Sequence, residues 1–418
     1  LELTNAVEPP AWSDYPIFFE NDLDHPWKAY NNANGPQFNG GRKLTATVVI
    51  DGEATLSYQP GSMDNLTVTI DGKQVRRLWR SEQANSAKYF EKLTPGTHVI
   101  AWETTTEKAY LYNIGIERTP TISVDLLEPG SLGTEVLYNV NSLNDVRRLK
   151  IAGPMNDDDW AKLKMMVNLY ALDLSEAEIT AIPDDQFRRT GNIKESFFHE
   201  VQLPEGLLTI GDAAFFDSFL DEVVIPSTVT DIGPNAFRHT YPKEVVVPEG
   251  ITDLGGSIFR ECNFLQHVTL PKNLQIIRDG CFYRTPMTEI EFPETLTTIE
   301  SRAFNFVPIN PRFPASLRTI GEQAFQGCAI DSLFLPEGMT ELGGGGSGYQ
   351  TFRDCGNLVY VELPSTLHDC SAGWEHFRGT KLNTVVIKSP TMLDGSNQDR
   401  YFGVDVENLT LVVPSYLV

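Results

Sequence analysis

Across residues 201–377, apolar and polar positions follow one frame, Val-x-Leu-Pro-x-x-Leu-x-x-Ile-Gly-x-x-Ala-Phe, which returns along the chain. Eight prolines mark it: Pro204, Pro226, Pro248, Pro271, Pro293, Pro314, Pro336 and Pro364, spaced by 22, 22, 23, 22, 21, 22 and 28 residues. A phenylalanine follows the first six at a distance of 11 (Phe215, Phe237, Phe259, Phe282, Phe304 and Phe325). A fixed period in this range predicts a solenoid, each coil of which cannot bury its apolar face alone.

Within one coil, the residues before the proline alternate, as in Val201-Gln202-Leu203 and Ile290-Glu291-Phe292. Period two with β-branched residues predicts a short strand. Proline, which lacks an N–H for the ladder, ends it. Apolar residues three and six after the proline, such as Leu207 and Ile210, predict a return to the core. The Ala-Phe pair is expected to close the coil on a short helical or 3₁₀ turn, and stacked coils should share a ladder of phenylalanines.

Strand parity turns the residues two and four before each proline outward. The candidate binding residues on that face are Glu200, Glu222, Glu244, Glu289, Glu291, Arg312, Phe334, Tyr360 and Glu362. One end is acidic beside Val224 and Val246, and the other carries Phe334 and Tyr360 beside Arg312. Aromatic residues and an arginine among charges resemble an interface; an ordinary solvated sheet is the equally weighted alternative. Glu200, Glu222 and Glu244 share one slot in consecutive coils and are expected about 4.8 Å apart at the backbone.

The frame weakens at both ends, as caps should. A divergent coil holds Leu172, Leu174, Ile182 and Phe187, with an earlier strand at 149–151. Residues 155–168 between them predict a helix with Trp160, Leu163 and Val167 on one face. The run Asn156-Asp157-Asp158-Asp159 suits its amino end, where carboxylates cap and offset the helix dipole; it lacks the spacing and glycine of a calcium loop. Later come an insertion at 343–348 and strands at 385–387 and 409–413, and part of the C-terminal cap is expected beyond Val418.

Residues 1–118 show no such repeat. Alternating runs at 44–50, 54–58, 66–70, 98–102 and 110–116, with Asp51-Gly52 and Asp71-Gly72 as hairpin turns, predict an antiparallel β-sandwich. A strand at 122–126 and a helix at 132–143 then cap the solenoid. The expected fold is mainly β with short helices. It divides into a sandwich over 1–118 and a solenoid with a parallel sheet over 119–418, comprising cap 119–170, repeats 171–390 and end 391–418.

The net charge of −23 argues against a sequence-independent grip on nucleic acid or anionic lipid. No apolar run approaches the roughly 18 residues that span a bilayer. The first methionine is Met63, so a native start, with or without an export signal, is expected before Leu1. Cys262, Cys281, Cys328, Cys355 and Cys370 all fall in core slots of the frame, and no Cys-x-x-Cys pair is present. Five buried free thiols are therefore predicted rather than a metal or redox site.

No His-Glu-x-x-His pair, Gly-x-Ser-x-Gly elbow or phosphate-cradling loop occurs. Carboxylates are plentiful enough for a glycosidase pair, but no site marks one out, so the expectation is a monomeric non-enzyme without cofactor or metal.

"LPEGLLTIGDAAF" (203–215), "IPSTVTDIGPNAF" (225–237) and "AFQGCAIDSLFLPEGM" (324–339) resemble BspA-type leucine-rich repeats. Residues 149–179 resemble the opening of such domains in Bacteroides-type surface proteins. "FFENDLDHPWKAY" (18–30) with "LTPGTHVIAW" (93–102) is similar to jelly-roll modules placed before these repeats. The resemblance implies a right-handed solenoid, exported to the cell surface or beyond, with a role in adhesion. Two functions are carried forward: binding of a protein or glycoprotein through the solenoid sheet, or of a glycan through the sandwich with the solenoid as spacer. Trp27, Trp79, Trp102, Tyr110 and Tyr112 are the stacking candidates for the second, although the alternating strand around Trp102 favours core.

Overall fold

The computed structural model describes residues 17–21, 28–32, 35–39, 42–61, 65–79, 89–105, 110–188, 198–343, 350–367, 376–389 and 409–413. Strands Phe18–Asn21, Lys43–Ile50, Gly96–Glu103, Asn65–Ile70 and Lys73–Trp79 form one antiparallel sheet in that order. Lys28–Asn32, Gly35–Asn39, Tyr110–Arg118, Ala54–Pro60 and Tyr89–Leu93 form a second. Alternation sets their inner faces: Leu44, Ala46, Val48 and Ile50 from one sheet meet Leu56, Tyr58, Leu111 and Ile116 from the other in a single core.

Trp102 is fully buried and sits edge-on to Tyr58 at 6.0 Å, so it is core. Asp71 and Gly72, both at positive φ (53° and 77°), turn the hairpin between Asn65–Ile70 and Lys73–Trp79 as their type requires. Asp51-Gly52 does otherwise. The strands flanking it belong to opposite sheets, because Lys43–Ile50 pairs along its whole length with Gly96–Glu103 instead. The turn motif there marks a crossing, not a hairpin.

The cap follows with strand Ile122–Asp125, helix Leu132–Leu137, a 3₁₀ turn at Leu143–Asp145, strand Arg148–Pro154 and helix Asp157–Met165. The first helix is shorter than its pattern because the Asn139 side chain takes the Glu135 carbonyl, the acceptor its own N–H would use in a helix. The second starts on a capping box. Asn156 Oδ1 accepts from the Asp158 and Asp159 amides, and the Asp159 carboxylate accepts from the Asn156 amide at 3.0 Å. Asp159 also accepts from Gly130 and Leu132 at 2.7 and 3.0 Å, tying the two helix starts together.

A parallel solenoid then runs to Val412, and its center is the phenylalanine ladder. Phe187, Phe215, Phe237, Phe259, Phe282, Phe304, Phe325, Phe352 and Phe377 stack with centroids 5.3–5.8 Å apart and planes within 16°. Three features differ from the sequence-based picture. The ladder of strands before the prolines is interrupted, surviving as Ile122–Asp125 through Glu200–Gln202, Glu244–Val246 with His267–Thr269, and Ser332–Phe334 through Thr410–Val412. One cause is Pro311, which removes a ladder donor from the segment before Pro314.

The second difference is an additional set of narrow strands five and six residues after each of the first seven prolines. It includes Thr209–Ile210 with Asp231–Ile232, and a run from Asp253–Leu254 through Ile276–Ile277, Thr298–Ile299 and Thr319–Gly321 to Glu341–Gly343.

The third is the phenylalanine turn, which is not a helical turn. Ala213, Asn235, Ser257, Arg302 and Gln323, two before the ring, and Asp217, His239, Glu261, Arg284 and Phe306, two after it, are left-handed with φ of 51–62°. Left- and right-handed residues alternate, so every second N–H turns toward the next coil. Ala213, Phe215 and Asp217 donate to Pro234, Ala236 and Arg238 at 2.8–2.9 Å, while Ala214, Phe216 and Ser218 donate three residues back. Left-handed backbone costs a non-glycine residue about 1 to 2 kcal/mol, and an inter-coil bond worth about 1 kcal/mol offsets much of it.

Cys262, Cys281, Cys328 and Cys355 are free and buried. Cys262, Cys328 and Cys355 place Sγ 3.1–3.2 Å from the phenylalanine carbonyl of the preceding coil. Burial pushes the Cys262 thiol up to about 11 and Cys355 to about 12, and raises Cys281 and Cys328 as well. Cys370 lies outside the described residues.

Candidate functional site

The outward face of the strands before the prolines holds the predicted residues in three separate settings. Glu200 faces the sandwich: its carboxylate is 3.2 and 3.3 Å from Lys92 Nζ and 3.8 Å from Arg148 Nη2. Glu222 is exposed on a segment that forms no strand, and Glu244 has His267 as its ladder neighbor. No continuous strand ladder joins the three: Glu200–Gln202 pairs backward with Ala171–Glu178 and Glu244–Val246 pairs forward with His267–Thr269, with Glu222 on the unpaired segment between them.

Glu289 lies 3.4 Å from the His267 ring, and Glu291 is exposed. Arg312 is exposed on the segment that Pro311 keeps out of the ladder.

At the other end the strands are continuous and the side chains meet. Phe334, 57% exposed, packs against Tyr360 with centroids 5.4 Å apart. Glu362 lies opposite Phe334 in register and accepts from the Tyr360 hydroxyl at 3.2 Å. Its carboxylate also pairs with Lys388, whose ammonium this hydrogen bond holds above its usual value. Among the described residues, no group of three or more His, Cys, Asp or Glu side chains is placed to hold a metal ion, and no helix is long and apolar enough to cross a membrane.

Sequence reasoning missed the joint between sandwich and solenoid. Arg76, from Lys73–Trp79, has a buried guanidinium shared between both units. Nε and Nη2 donate to Glu91 at 2.9 and 3.3 Å within the sandwich, and Nη1 and Nη2 donate to Asp221 of the solenoid at 3.3 and 3.2 Å. The Tyr58 hydroxyl donates to Glu91 at 2.7 Å. His199 Nδ1 lies 3.0 Å from Arg76 Nη2 and 3.3 Å from Asp221 Oδ2.

Burial raises the Asp221 carboxyl, but the Arg76 guanidinium beside it outweighs burial and holds the group below the usual carboxylate range. Phe219 of the solenoid enters the sandwich core edge-on to Tyr89 at 5.9 Å, and stacks on His199 and Tyr241 at 5.5 and 5.2 Å. The one clue in the sequence was Arg76 itself, a charge in the inward slot it shares with buried Leu78.

Of the stacking candidates, Tyr110 and Tyr112 stand half-buried on the outer face of their sheet with rings 5.9 Å apart and 9° from parallel. Gly61 makes room for them: a Cβ there would lie 2.7 Å from the Tyr112 ring and 2.8 Å from Tyr110 Cβ. Next to them a bulge holds Asn113 at φ 52°, and its amide donates to Gln59 at 2.8 Å. Trp27 and the Trp79 side chain lie outside the described residues.

Among curated proteins no sequence matches this chain. Solved structures similar to it include a leucine-rich repeat protein from Bacteroides ovatus, with 19% identity over 63% of this chain and 66% of that one and a TM-score of 0.44. The chain thus spans just under two thirds of that protein's length. A leucine-rich repeat protein from Eubacterium ventriosum shares 16% identity over 72% and 80% of the two chains, with a TM-score of 0.36. A leucine rich cell surface protein from Faecalibacterium prausnitzii shares 19% over 57% and 83%, with a TM-score of 0.29. The BspA type leucine rich repeat region matches residues 180–310 and 307–396 in six copies, just over half of the sequence, and the chain belongs to that BspA-type leucine-rich-repeat family.

Proposed function

We propose that the chain is a non-enzymatic recognition protein of the cell exterior, which binds a protein or glycoprotein through the outward face of its solenoid strands. The observation that carries this reading is the Phe334–Tyr360 pair: an exposed aromatic contact on rigid strands, bordered by the Glu362–Lys388 ion pair. Aromatic anchors fixed by their backbone lose little entropy on binding, and charges around them set orientation and partner choice. Glu222, Glu244, Glu289, Glu291 and Arg312 would contribute such charges, whereas Glu200 stays with the joint. The test is surface plasmon resonance of the full chain against a panel of extracellular-matrix and bacterial surface glycoproteins. A ligand that binds the parent should bind a folded Phe334→Ser/Tyr360→Ser variant at least about tenfold more weakly; equal affinity sinks the proposal.

The Tyr110–Tyr112 pair with the Gln59–Asn113 amides favors a second reading, sugar binding by the sandwich, since rings and amides are the groups that stack on and hydrogen-bond to a pyranose. A glycan array of the full chain separates the two. Binding lost in Tyr110→Ala/Tyr112→Ala but kept in the Phe334 variant would select this one.

A further inference from the structure

We infer that the joint between sandwich and solenoid is an acid-released latch, in which proton uptake by His199 and Asp221 ends their shared hold on Arg76 and frees the sandwich from the solenoid's His199–Phe219–Tyr241 ladder. The geometry requires both groups in their deprotonated forms. A guanidinium donates only and does not deprotonate. His199 Nδ1 lies nearer to Arg76 Nη2, at 3.0 Å, than to Asp221 Oδ2, at 3.3 Å, and toward the guanidinium it can only accept, which assigns a neutral imidazole with its proton on Nε2. An imidazolium would set two N–H donors against each other. Asp221 receives two Arg76 donors at 3.2 and 3.3 Å, a bidentate hold that needs a carboxylate. Both protonations therefore work against the closed joint.

Opening has a sound second state. Arg76 keeps Glu91 at 2.9 and 3.3 Å, and Glu91 keeps the Tyr58 hydroxyl, all inside the sandwich. The titratable and charged groups around His199 and Asp221 are Arg76 (Lys73–Trp79), Tyr58 (Ala54–Pro60) and Tyr89, Glu91 and Lys92 (Tyr89–Leu93). From the solenoid come Tyr170, Glu200, Tyr241 and Lys243, with Arg148 behind Glu200. Of these, Lys92–Glu200 and Lys243 to the Gln74 carbonyl at 3.5 Å bridge the rim; such exposed contacts hold weakly by themselves. The phenylalanine rings carry no titratable group, and the inter-coil ion pairs beside them, such as His239–Asp217 and Arg278–Asp253, are part-exposed and hold weakly, so acid that opens the joint leaves the coils stacked.

The test follows the full chain from about pH 8 to about pH 3 by hydrogen–deuterium exchange corrected for intrinsic rate, small-angle scattering and far-UV circular dichroism. Exchange at 74–78, 89–93, 198–202 and 219–221 should rise at least about tenfold over the phenylalanine turns, and the radius of gyration should grow while the dichroism holds. The parent must reclose on return to the starting pH. Asp221→Asn should open at the upper pH, and His199→Gln, which keeps an acceptor but does not titrate, should move opening down by about one unit or more. A parent joint that stays protected until the whole molecule unfolds overturns the latch. So does a His199→Gln variant, closed at the upper pH, that opens at the parent's pH, since the imidazolium then simply turns to Asp221.

Discussion

In the solenoid each buried ring rests on the ring one coil away, and the same slot supplies the contact in every coil. In the sandwich, Lys43–Ile50 depends on Gly96–Glu103, a strand reached only after four others have formed, and part of its core comes from Phe219, in the solenoid coil that Pro204 opens. The repeating unit is thus self-sufficient once stacked, while the non-repeating one is completed by its neighbor. A defect in the first should divide the array; a defect at the joint should damage the sandwich and spare the coils.

The largest expected effect is at the middle of the ladder. Phe259→Ala should cost about 3 to 5 kcal/mol and split the solenoid's denaturant transition in two; one unchanged transition would mean the coils are not coupled through the rings. Phe219→Ala should cost about 3 kcal/mol, read in the sandwich alone through Trp102 fluorescence, with solenoid dichroism retained. Equal loss in both units would erase the contrast.

Acid sharpens it further. Because the folded Asp221 carboxyl is held low, its contribution is full above the ordinary carboxylate value of about 3.9 and disappears as pH falls through the lowered one. Asp221→Asn should remove that slope from the stability–pH curve of the joint. The four described cysteines have thiols raised by burial, so labeling near about pH 8 should wait for unfolding; rapid native labeling of Cys262 or Cys328 would put those slots outside the core. The smallest effect is expected from Glu244→Gln. Glu244 is exposed and its ladder neighbor is His267 rather than a carboxylate, so stability should change by less than about 0.5 kcal/mol with no dependence on salt.

What repeated was readable in advance. The phenylalanine stack, the burial of Cys262 and its counterparts and the cap at Asn156 follow from residue types that physics restricts to core or helix start. The left-handed turns were hidden because Ala213, Asn235, Ser257, Arg302 and Gln323 have no common side chain. Gly280, Gly327 and Gly379, at positive φ in corresponding slots, were the unread hint. The second ladder escaped notice because strands of two residues show no period. The joint escaped because Arg76 and Asp221 lie 145 residues apart, and no local pattern links an inward arginine to a carboxylate in another unit. Among the candidate site residues, Phe334, Tyr360 and Glu362 were placed together by parity, whereas Glu200, Glu222 and Glu244 lie along a ladder that the chain interrupts.

The phenylalanine turns also give the array a direction. On that edge the N–H groups point forward, from Phe187 to Ala214 through to Phe352 and His376, and the carbonyls point back. Each described turn consequently offers donors to the coil after it and acceptors to the coil before it. A further coil added within the stack would fit in one orientation only; a reversed one would set donors against donors.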